Sequence, residues 1–349
     1  MKAWVLDDVN DYNYREVEKP LVKDGEVLVK VSACGICGSD IPRAYQNGAH
    51  KMPLIIGHEF SGTVEECKSG KYSTGERVGV FPLIPCKECS PCLLQKYEMC
   101  RHYSYLGSRC DGGFAEYVSV PEWNLISLPD GVSFEAAAML EPMAVAVHAI
   151  RQLGDIDKDK IFAIYGFGTI GALISMFLKG MDCKTVLVIG NKDFQRDTFV
   201  KLGFDETDFC DSRNVDVSQW IMDKTSKNGV DCFFECIGKS DTISSVVDLA
   251  APGGKVCFVG NPYTDVSLDK AVYWKILRNQ LKISGTWNSS FTGVKNDDWH
   301  YVLQCLKDGI VKPEVLITHK LSMDELVKGF EIMRDKSEDY MKIMMVCAD

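Results

Sequence analysis

Residues Ile161–Gly171, IFAIYGFGTIG, decide the fold of this 349-residue chain. An apolar run leads into Gly166, Gly168 and Gly171, which have the spacing GxGxxG, with Thr169 and Ile170 between the last two. A glycine turn between a strand and a helix lets a dinucleotide pyrophosphate approach the N–H groups at the helix start. The stretch therefore predicts a strand, a turn and a helix that bind a dinucleotide.

The residues around this stretch alternate short apolar runs with amphipathic segments. The predicted strands lie in KIFAIYG, KTVLVIG, DCFFECIG, GKVCFVG and LKISGTW. Strands separated by helical segments predict right-handed βαβ units, a parallel sheet and a doubly wound Rossmann domain, which we place at residues 146–286. The uncharged run 161–178 has the length of a membrane span, but its glycines favour a buried strand followed by a buried helix.

The first part of the chain reads differently. Short β-like runs such as EVLVKVSA and FAEYVSV are separated by Gly, Pro and Asp, which predicts an irregular β-rich domain over residues 1–145. Ser133 is a candidate N-cap, and Pro142 must begin or kink the helix that follows. The chain is therefore predicted to be of the α/β class, with two domains.

The composition excludes several classes of partner. The formal net charge is −10, which disfavours binding to nucleic acid or to an anionic membrane, because both recruit basic surfaces. The N-terminal residues contain acids and tyrosines where a signal peptide needs an apolar core, so we expect a cytoplasmic protein. In that reducing compartment the 15 cysteines are more readily explained by metal binding than by disulfides.

Four of these cysteines are closely spaced. They are Cys86, Cys89, Cys92 and Cys100. Four thiolates around one tetrahedral ion are typical of structural zinc, and we predict such a site in a lobe at residues 85–101. An iron–sulfur cluster is the alternative, but here the fourth cysteine follows after seven residues and lacks the proline that ends a ferredoxin-type run.

A second candidate metal site combines different ligand types. His58 and Glu59 end the apolar run LIIGHEFSG, and Cys37 lies 21 residues before His58, in CGICGSD. A thiolate, an imidazole and a carboxylate can together hold one zinc and leave a position for water or substrate. Taken singly, the histidine could be a satisfied structural residue and the glutamate a solvated one.

In this order, CGICGSD, GHEFSG, the cysteine lobe and YGFGTIG resemble the zinc-dependent medium-chain alcohol and polyol dehydrogenases over essentially the whole chain. The resemblance implies a GroES-like catalytic domain to which residues 287–349 return, two zinc ions per chain, hydride transfer to a nicotinamide, and a homodimer or homotetramer. Glu141 stands where simple alcohol dehydrogenases supply a second cysteine ligand, which resembles the polyol branch. Ser39 matches the position that relays the alcohol proton, although it could also be a turn-capping hydroxyl.

The segments 38–43, 47–50 and KILRNQLKISGTWNSS resemble the subgroup that oxidises galactitol phosphate. The resemblance implies a phosphorylated polyol, and Arg43, His50 and Arg109 are candidate phosphate-binding residues, whereas Lys51 is more readily explained as a surface charge. An unphosphorylated polyol, another alcohol or threonine is the alternative substrate. A non-catalytic nucleotide-binding relative is the alternative from a different class, but retention of Cys37 and its partner ligands argues against it.

The end of the second Rossmann strand bears on the choice of cofactor. An NAD enzyme places Asp or Glu there to bind the adenine ribose, but this chain has Gly190. Asn191, Lys192 and Arg196 then offer donors or positive charge to a 2′-phosphate. The sequence therefore favours NADP(H), with NAD(H) as the alternative if the glycine is merely tolerated.

Overall fold

The computed structural model describes residues 1–347. The chain divides into two compact units, of which the first contains residues 1–142 together with those from 290 onward and the second contains residues 143–289. The strands are β1 Lys2–Asp8, β2 Asp11–Glu16, β3 Glu26–Gly35, β4 Leu54–Ile55, β5 Glu59–Cys67, β6 Arg77–Val80, β7 Leu83–Ile84, β8 Ser104–Tyr105, β9 Tyr117–Pro121, β10 Leu125–Ser127, β11 Ile161–Tyr165, β12 Thr185–Gly190, β13 Phe209–Asp211, β14 Val230–Glu235, β15 Ala250–Phe258, β16 Lys282–Gly285, β17 Ile317–Leu321 and β18 Lys342–Val346.

Helices connect these strands. The α-helices are α1 Asp40–Pro42, α2 Ser90–Leu93, α3 Phe134–Ala138, α4 Leu140–Gln152, α5 Thr169–Gly180, α6 Asp193–Lys201, α7 Val217–Lys224, α8 Ser240–Asp248, α9 Lys270–Arg278, α10 Asp298–Lys307 and α11 Leu326–Asp335. A π-helical turn, Arg43–Asn47, follows α1, and short 3-10 turns lie at Tyr97–Met99, Glu122–Asn124, Glu206–Asp208, Pro313–Leu316 and Met323–Glu325. The Ser133 side chain accepts a hydrogen bond from the Ala136 N–H, so it caps α3 as predicted, and Pro142 lies in the first turn of α4.

The second unit is a parallel sheet, as the sequence predicts. Its six strands lie in the order β13-β12-β11-β14-β15-β16, and each neighbouring pair is parallel. The apolar run 161–178 forms β11 and the buried part of α5, which confirms the reading of a buried strand and helix. None of the helices in the described part of the chain is long and apolar enough to cross a bilayer.

The first unit is built around a sheet to which the late part of the chain returns. The strand path is β10-β6-β5-β3-β18-β17, and β9 also pairs with β3. The central strand β3 is antiparallel to β5 on one side and to β18 on the other. Because β18 is inserted beside β3, side chains from residues 342–346 reach the same region as residues near positions 35 and 59.

Candidate metal and dinucleotide sites

The four lobe cysteines come together in the first unit. The Sγ–Sγ distances are 3.5 Å for Cys89–Cys92 and Cys86–Cys100, and 3.9 Å for Cys86–Cys92 and Cys89–Cys100. Four sulfurs at a Zn–S distance of 2.3 Å in a tetrahedron would be separated by about 3.8 Å. The four thiols therefore fit a closed tetrahedral zinc site.

The charges in this lobe also favour a bound cation. Backbone N–H groups of Arg101 and Cys92 lower the pKa of the Cys89 thiol to about 6. Burial, together with its neighbours, raises the pKa of the Cys92 thiol to about 12. Without a cation the four sulfurs cannot all ionise, because like charges at this separation repel strongly.

Cys37, His58 and Glu59 form the second group of candidate metal-binding side chains. Cys37 follows the end of β3, and Glu59 opens β5 opposite Gly35. One ligand atom from each of the three residues lies within 4.8 Å of the other two. His58 and Glu59 are buried and Cys37 is partly buried. A soft sulfur, an imidazole and a carboxylate oxygen at one point match the donor set of a catalytic zinc site.

Asp40, which the sequence analysis did not assign, lies beside two members of this group, Cys37 and His58. Its fully buried carboxylate accepts a hydrogen bond from the Cys37 N–H at 3.0 Å and pairs with Arg43 at 2.5 Å. Asp40 Oδ1 is 3.5 Å from His58 Nδ1, a distance at which the buried nitrogen still has no hydrogen-bond partner. Burial opposes protonation of His58, but Asp40 and Cys37 outweigh it and raise the pKa of the imidazole.

Lys342 is the second residue that the sequence analysis missed. Its ammonium group lies 2.5 Å from Glu59 Oε2 and donates to the Ile36 carbonyl at 3.1 Å. Both side chains of the pair are buried, with 4% and 2% of their surface exposed. A β-carbon at Gly35 would lie 2.3 Å from Glu59 Oε2, so only glycine leaves room for this carboxylate. A lysine within the apolar strand KIMMV is the same kind of signal that drew attention to His58 and Glu59.

Glu141 is buried near this group but does not join it. It lies at the start of α4 and accepts a hydrogen bond from the Tyr105 hydroxyl at 3.1 Å. Burial is the main cause that raises the pKa of Glu141 to about 7, with Glu59 adding to it and His58 opposing it. Tyr105 also packs edge-on against His58, with 5.7 Å between ring centroids. The Ser39 hydroxyl donates to Cys37 Sγ at 3.3 Å.

A polar cavity opens beside Ser39. Its volume is about 340 Å³, and its lining includes Arg43, Asn47, His50 and Ser108. The Arg43 guanidinium donates to the Ser108 hydroxyl at 3.4 Å. Thus two of the three candidate phosphate-binding residues line one cavity next to the candidate metal site.

Arg109, the third candidate, contributes charge to the same place. Burial is the main cause that lowers the pKa of His50, and the positive charges of Arg109 and Arg43 lower it further. The Arg109 guanidinium lies over the Tyr103 ring, 4.5 Å from its centroid, and its Nε is buried without a hydrogen-bond partner. Lys51 is exposed and does not line the cavity.

The glycine motif adopts the predicted strand–turn–helix arrangement in the second unit. Gly166 follows β11 with a φ of +103°, and a β-carbon there would lie 2.6 Å from Ile237 Cγ1. A β-carbon at Gly171 would lie 2.1 Å from the Gly166 carbonyl oxygen. Gly168 precedes α5, which begins at Thr169, and has open space where its side chain would be. This turn can admit a pyrophosphate to the helix start.

Gly190 ends β12, and its side-chain space is occupied. A β-carbon there would lie 2.5 Å from Phe209 Cζ and 2.7 Å from Gln195 Oε1. The Gln195 oxygen accepts a hydrogen bond from the Asn191 N–H at 2.9 Å. Arg196 lies within ion-pair distance of three acids, Asp193, Asp197 and Glu206. Local packing therefore leaves no room for an acidic side chain at position 190. The three acids largely compensate the positive charge of Arg196.

Comparisons with known proteins identify two families along the chain. The alcohol dehydrogenase GroES-like domain family matches residues 23–130, and the zinc-binding dehydrogenase family matches residues 169–308. The chain is 31% identical to galactitol 1-phosphate 5-dehydrogenase of Escherichia coli K12, over 99% of this chain and 100% of the relative.

Two solved structures bear on the cofactor. A zinc-binding dehydrogenase from Sinorhizobium meliloti 1021 bound to NADP has a TM-score of 0.90 and 27% identity, covering 99% of this chain and 98% of that one. A protein from Escherichia coli CFT073 described as a short chain alcohol dehydrogenase, in complex with NADH, has a TM-score of 0.89 and 27% identity, covering 99% of each chain.

Proposed function

Because this chain belongs to the zinc-dependent medium-chain dehydrogenases of the polyol type, we propose that it moves hydride between a secondary hydroxyl of a polyol phosphate and NADP(H). The observation that carries the proposal is the buried group of Cys37, His58 and Glu59 beside a cavity lined by cationic side chains. When bound, zinc supplies Lewis-acid stabilisation of an alcohol oxygen, and the nicotinamide supplies the hydride acceptor.

The chain's own residues hold the reacting groups and move the proton. Asp40 fixes the Cys37 backbone and faces His58, and Lys342 fixes the Glu59 carboxylate. We propose that Ser39, which lies both at Cys37 Sγ and on the cavity wall, relays the alcohol proton: its Oγ accepts that proton while the hydroxyl turns from Cys37 Sγ and gives its own proton to solvent in the cavity. Tyr105 orients Glu141 for the remaining hydroxyls or for the metal.

The phosphate is the finer part of this proposal. Arg43, His50 and Arg109 bring positive charge or N–H donors to the cavity, and the Ser108 and Asn47 side chains add polar groups. Cationic donors bind phosphate by charge-assisted hydrogen bonds, of which the guanidinium ones can be bidentate. The buried Nε of Arg109 is a donor that such an oxygen could satisfy. An unphosphorylated polyol would offer no anionic oxygen to this Nε, whereas Arg43 already has Asp40 and Ser108 as partners.

An activity panel tests the substrate class. We expect galactitol 1-phosphate and related polyol phosphates to have a higher kcat/KM than galactitol or sorbitol. Because His50 lines the cavity, His50→Gln should raise the KM for the polyol phosphate by about tenfold, which corresponds to about 1.4 kcal/mol of binding free energy. The KM for the unphosphorylated polyol should not change. Lys51→Gln is the matched control. Equal or better kcat/KM on the unphosphorylated polyols would refute the phosphate assignment.

The proposed preference for NADP(H) rests on the end of β12. Gly190 provides no carboxylate to repel a 2′-phosphate, and Asn191 and Lys192 follow it directly. Gly190→Asp is a poor test, since its β-carbon would displace the Phe209 ring. Lys192→Gln should instead lower kcat/KM with NADPH about tenfold, or about 1.4 kcal/mol, and leave the value with NADH nearly unchanged. A wild-type enzyme that prefers NADH by tenfold or more would contradict the proposal.

A homodimer is also proposed, from one edge of the second unit. β16 ends the sheet, and its neighbour in sequence α9 exposes Tyr273, Trp274 and Leu277, each about half accessible. An open edge strand can pair with a second copy of itself across a two-fold axis. Trp274→Glu should convert a dimer to a monomer in sedimentation equilibrium, and a wild-type monomer would contradict the inference.

A further inference from the structure

Glu235 is a buried carboxylate at the cofactor edge of the parallel sheet. It is the last residue of β14, in register with Tyr165 of β11 and Phe258 of β15, and it is fully buried. A carboxylate is costly to bury unless its oxygens accept hydrogen bonds. Dinucleotides bind outside the carboxyl ends of the strands in such sheets. A buried acid at this edge is therefore a candidate for a role in dinucleotide binding, and not only in core packing.

The Glu235 side chain accepts hydrogen bonds from three residues. The N–H of Ile237 reaches Oε1 at 2.9 Å, the N–H of Gly238 reaches both oxygens at 2.9 and 3.0 Å, and the Thr242 hydroxyl reaches Oε1 at 2.7 Å. The Glu235 carbonyl also accepts from the N–H groups of Val259 and Gly260. One residue therefore ties together the loop after β14, the first turn of α8 and the loop after β15.

The loop that Glu235 fixes lies against the glycine motif. The two segments pack together at Gly166, where a β-carbon would come within 2.6 Å of Ile237 Cγ1. Gly238 approaches the neighbouring loop equally closely, because a β-carbon there would lie 2.4 Å from the Asn261 carbonyl oxygen, and one at Gly260 would lie 2.3 Å from the Gly238 nitrogen. Because these segments pack this tightly, a shift of residues 236–238 toward Gly166 would displace the turn there.

We propose that Glu235 is a positioning residue for the nicotinamide dinucleotide: its carboxylate fixes residues 236–238, and this loop holds the Gly166–Gly171 turn in its binding-competent form. The inference rests on the proposed cofactor-dependent function and deepens it. Every group that faces the Glu235 oxygens is a donor. The Gly238 N–H faces both oxygens, so an amide turned either way would point its NH₂ group at that N–H. An acid is therefore required and not simply a side chain of this size.

Two variants with a matched control test this role. Glu235→Gln replaces an acceptor by a donor. Thr242→Val removes, with little change of shape, the hydroxyl that bonds Glu235 Oε1 and the Lys239 carbonyl. Thr225→Val is the control, because Thr225 is an equally buried threonine of the second unit. Its hydroxyl bonds the Ile221 carbonyl and the Gly229 N–H. Gly229 directly precedes β14, so this contact lies at the end of the strand opposite to Glu235. The dissociation constant for NADH and NADPH is measured by calorimetry, with thermal unfolding alongside.

We expect Glu235→Gln to raise the dissociation constant at least tenfold and Thr242→Val about threefold, whereas Thr225→Val should lower the unfolding temperature with little change in affinity. A folded Glu235→Gln protein with wild-type affinity would overturn the proposal. If that variant does not fold, Thr242→Val is the deciding test. The positioning role of Glu235 is rejected if the dinucleotide affinity of Thr242→Val is unchanged, or changes no more than that of Thr225→Val. Failure of the wild type to bind either dinucleotide would instead refute the proposed function itself.

Discussion

The two candidate metal-binding groups of the first unit are assembled in opposite ways. The Cys86–Cys100 group comes from fifteen consecutive residues and uses four identical side chains. The group of Cys37, His58 and Glu59 joins three side-chain types. Its neighbour Asp40 lies three residues after Cys37, but Lys342 and Glu141 come from distant parts of the sequence. A local, uniform set is suited to holding a lobe together, whereas a mixed, long-range set is suited to chemistry.

The charges around the two groups differ in the same sense. The N–H of Cys86 donates to Cys100 Sγ, so part of the support of the cysteine lobe comes from neutral backbone groups. At the group of Cys37, His58 and Glu59, which we call the mixed site, Arg43 compensates the charge of Asp40 and Lys342 compensates that of Glu59. Four thiolates in the lobe would therefore depend on a bound ion for neutralisation, while the protein itself balances much of the charge around Cys37, His58 and Glu59. The difference teaches that one ion should act mainly on folding and the other mainly on turnover.

The largest expected effect comes from removing the imidazole of the mixed site. His58→Ala should lower kcat/KM by about 10,000-fold, or about 5.4 kcal/mol of transition-state stabilisation, because an open zinc site needs all its ligands to activate an alcohol. The thermal unfolding midpoint should change little, and elemental analysis should fall from two zinc ions per chain to one. A variant that keeps both ions and most of its turnover would break the distinction between the sites.

The next effect concerns folding. Cys92→Ser should remove the lobe ion and lower the free energy of unfolding by about 4 kcal/mol, the stabilisation given by a ligand at 1,000 times its dissociation constant. Cys210→Ser, at a buried thiol of the second unit, is the control and should cost about 1 kcal/mol. Chemical unfolding of both variants measures the difference. Equal losses would show that the lobe thiols act as ordinary buried cysteines.

A third change removes the protein's own countercharge. Lys342→Met should lower the free energy of unfolding by about 3 kcal/mol, because it leaves the Glu59 carboxylate buried without its cation. The double variant Lys342→Met/Glu59→Gln should lose less than the sum of the two single losses, since neither charge then remains. Additive losses in urea unfolding would mean that the pair is not coupled, and that Glu59 is neutralised by other means.

The smallest effect is expected at the edge of the mixed site. Tyr105→Phe removes one hydrogen bond to Glu141 and should lower kcat about fivefold, or about 1 kcal/mol. Zinc content and the unfolding midpoint should match those of the wild type. Tyr103→Phe, whose ring packs against Tyr105, serves as the control. The proposed role of Tyr105 fails if the two variants have the same kcat.

Much of the fold could be predicted because its signals are local. The GxGxxG turn and the alternating apolar runs specified the parallel sheet, and only the three-residue strand β13 was missed, since FCD is too short to show a period. The lobe cysteines were found for the same reason, by spacing alone.

The surroundings of the mixed site could not be predicted in this way. Lys342 follows Glu59 by 283 positions, and only the insertion of β18 beside β3 brings them together. Asp40 was in view within CGICGSD, but its burial between His58 and Arg43 depends on the turn after β3. The Tyr105–Glu141 hydrogen bond likewise joins a lobe-flanking strand to the start of α4. Such pairings are set by tertiary packing, which sequence spacing does not encode.

The placement of Lys342 also has a consequence for biosynthesis. A ribosome makes the chain from the N-terminus, so residues 143–289 can fold as a unit while β18 is still unsynthesised. Until that strand arrives, one edge of β3 is open along the residues that pair with β18, and Glu59 lacks its countercharge. Nascent chains released before residue 342 should therefore contain a folded nucleotide-binding unit joined to an aggregation-prone, catalytically incompetent sheet. The site around Glu59 is therefore completed late in translation, after Lys342 has been synthesised.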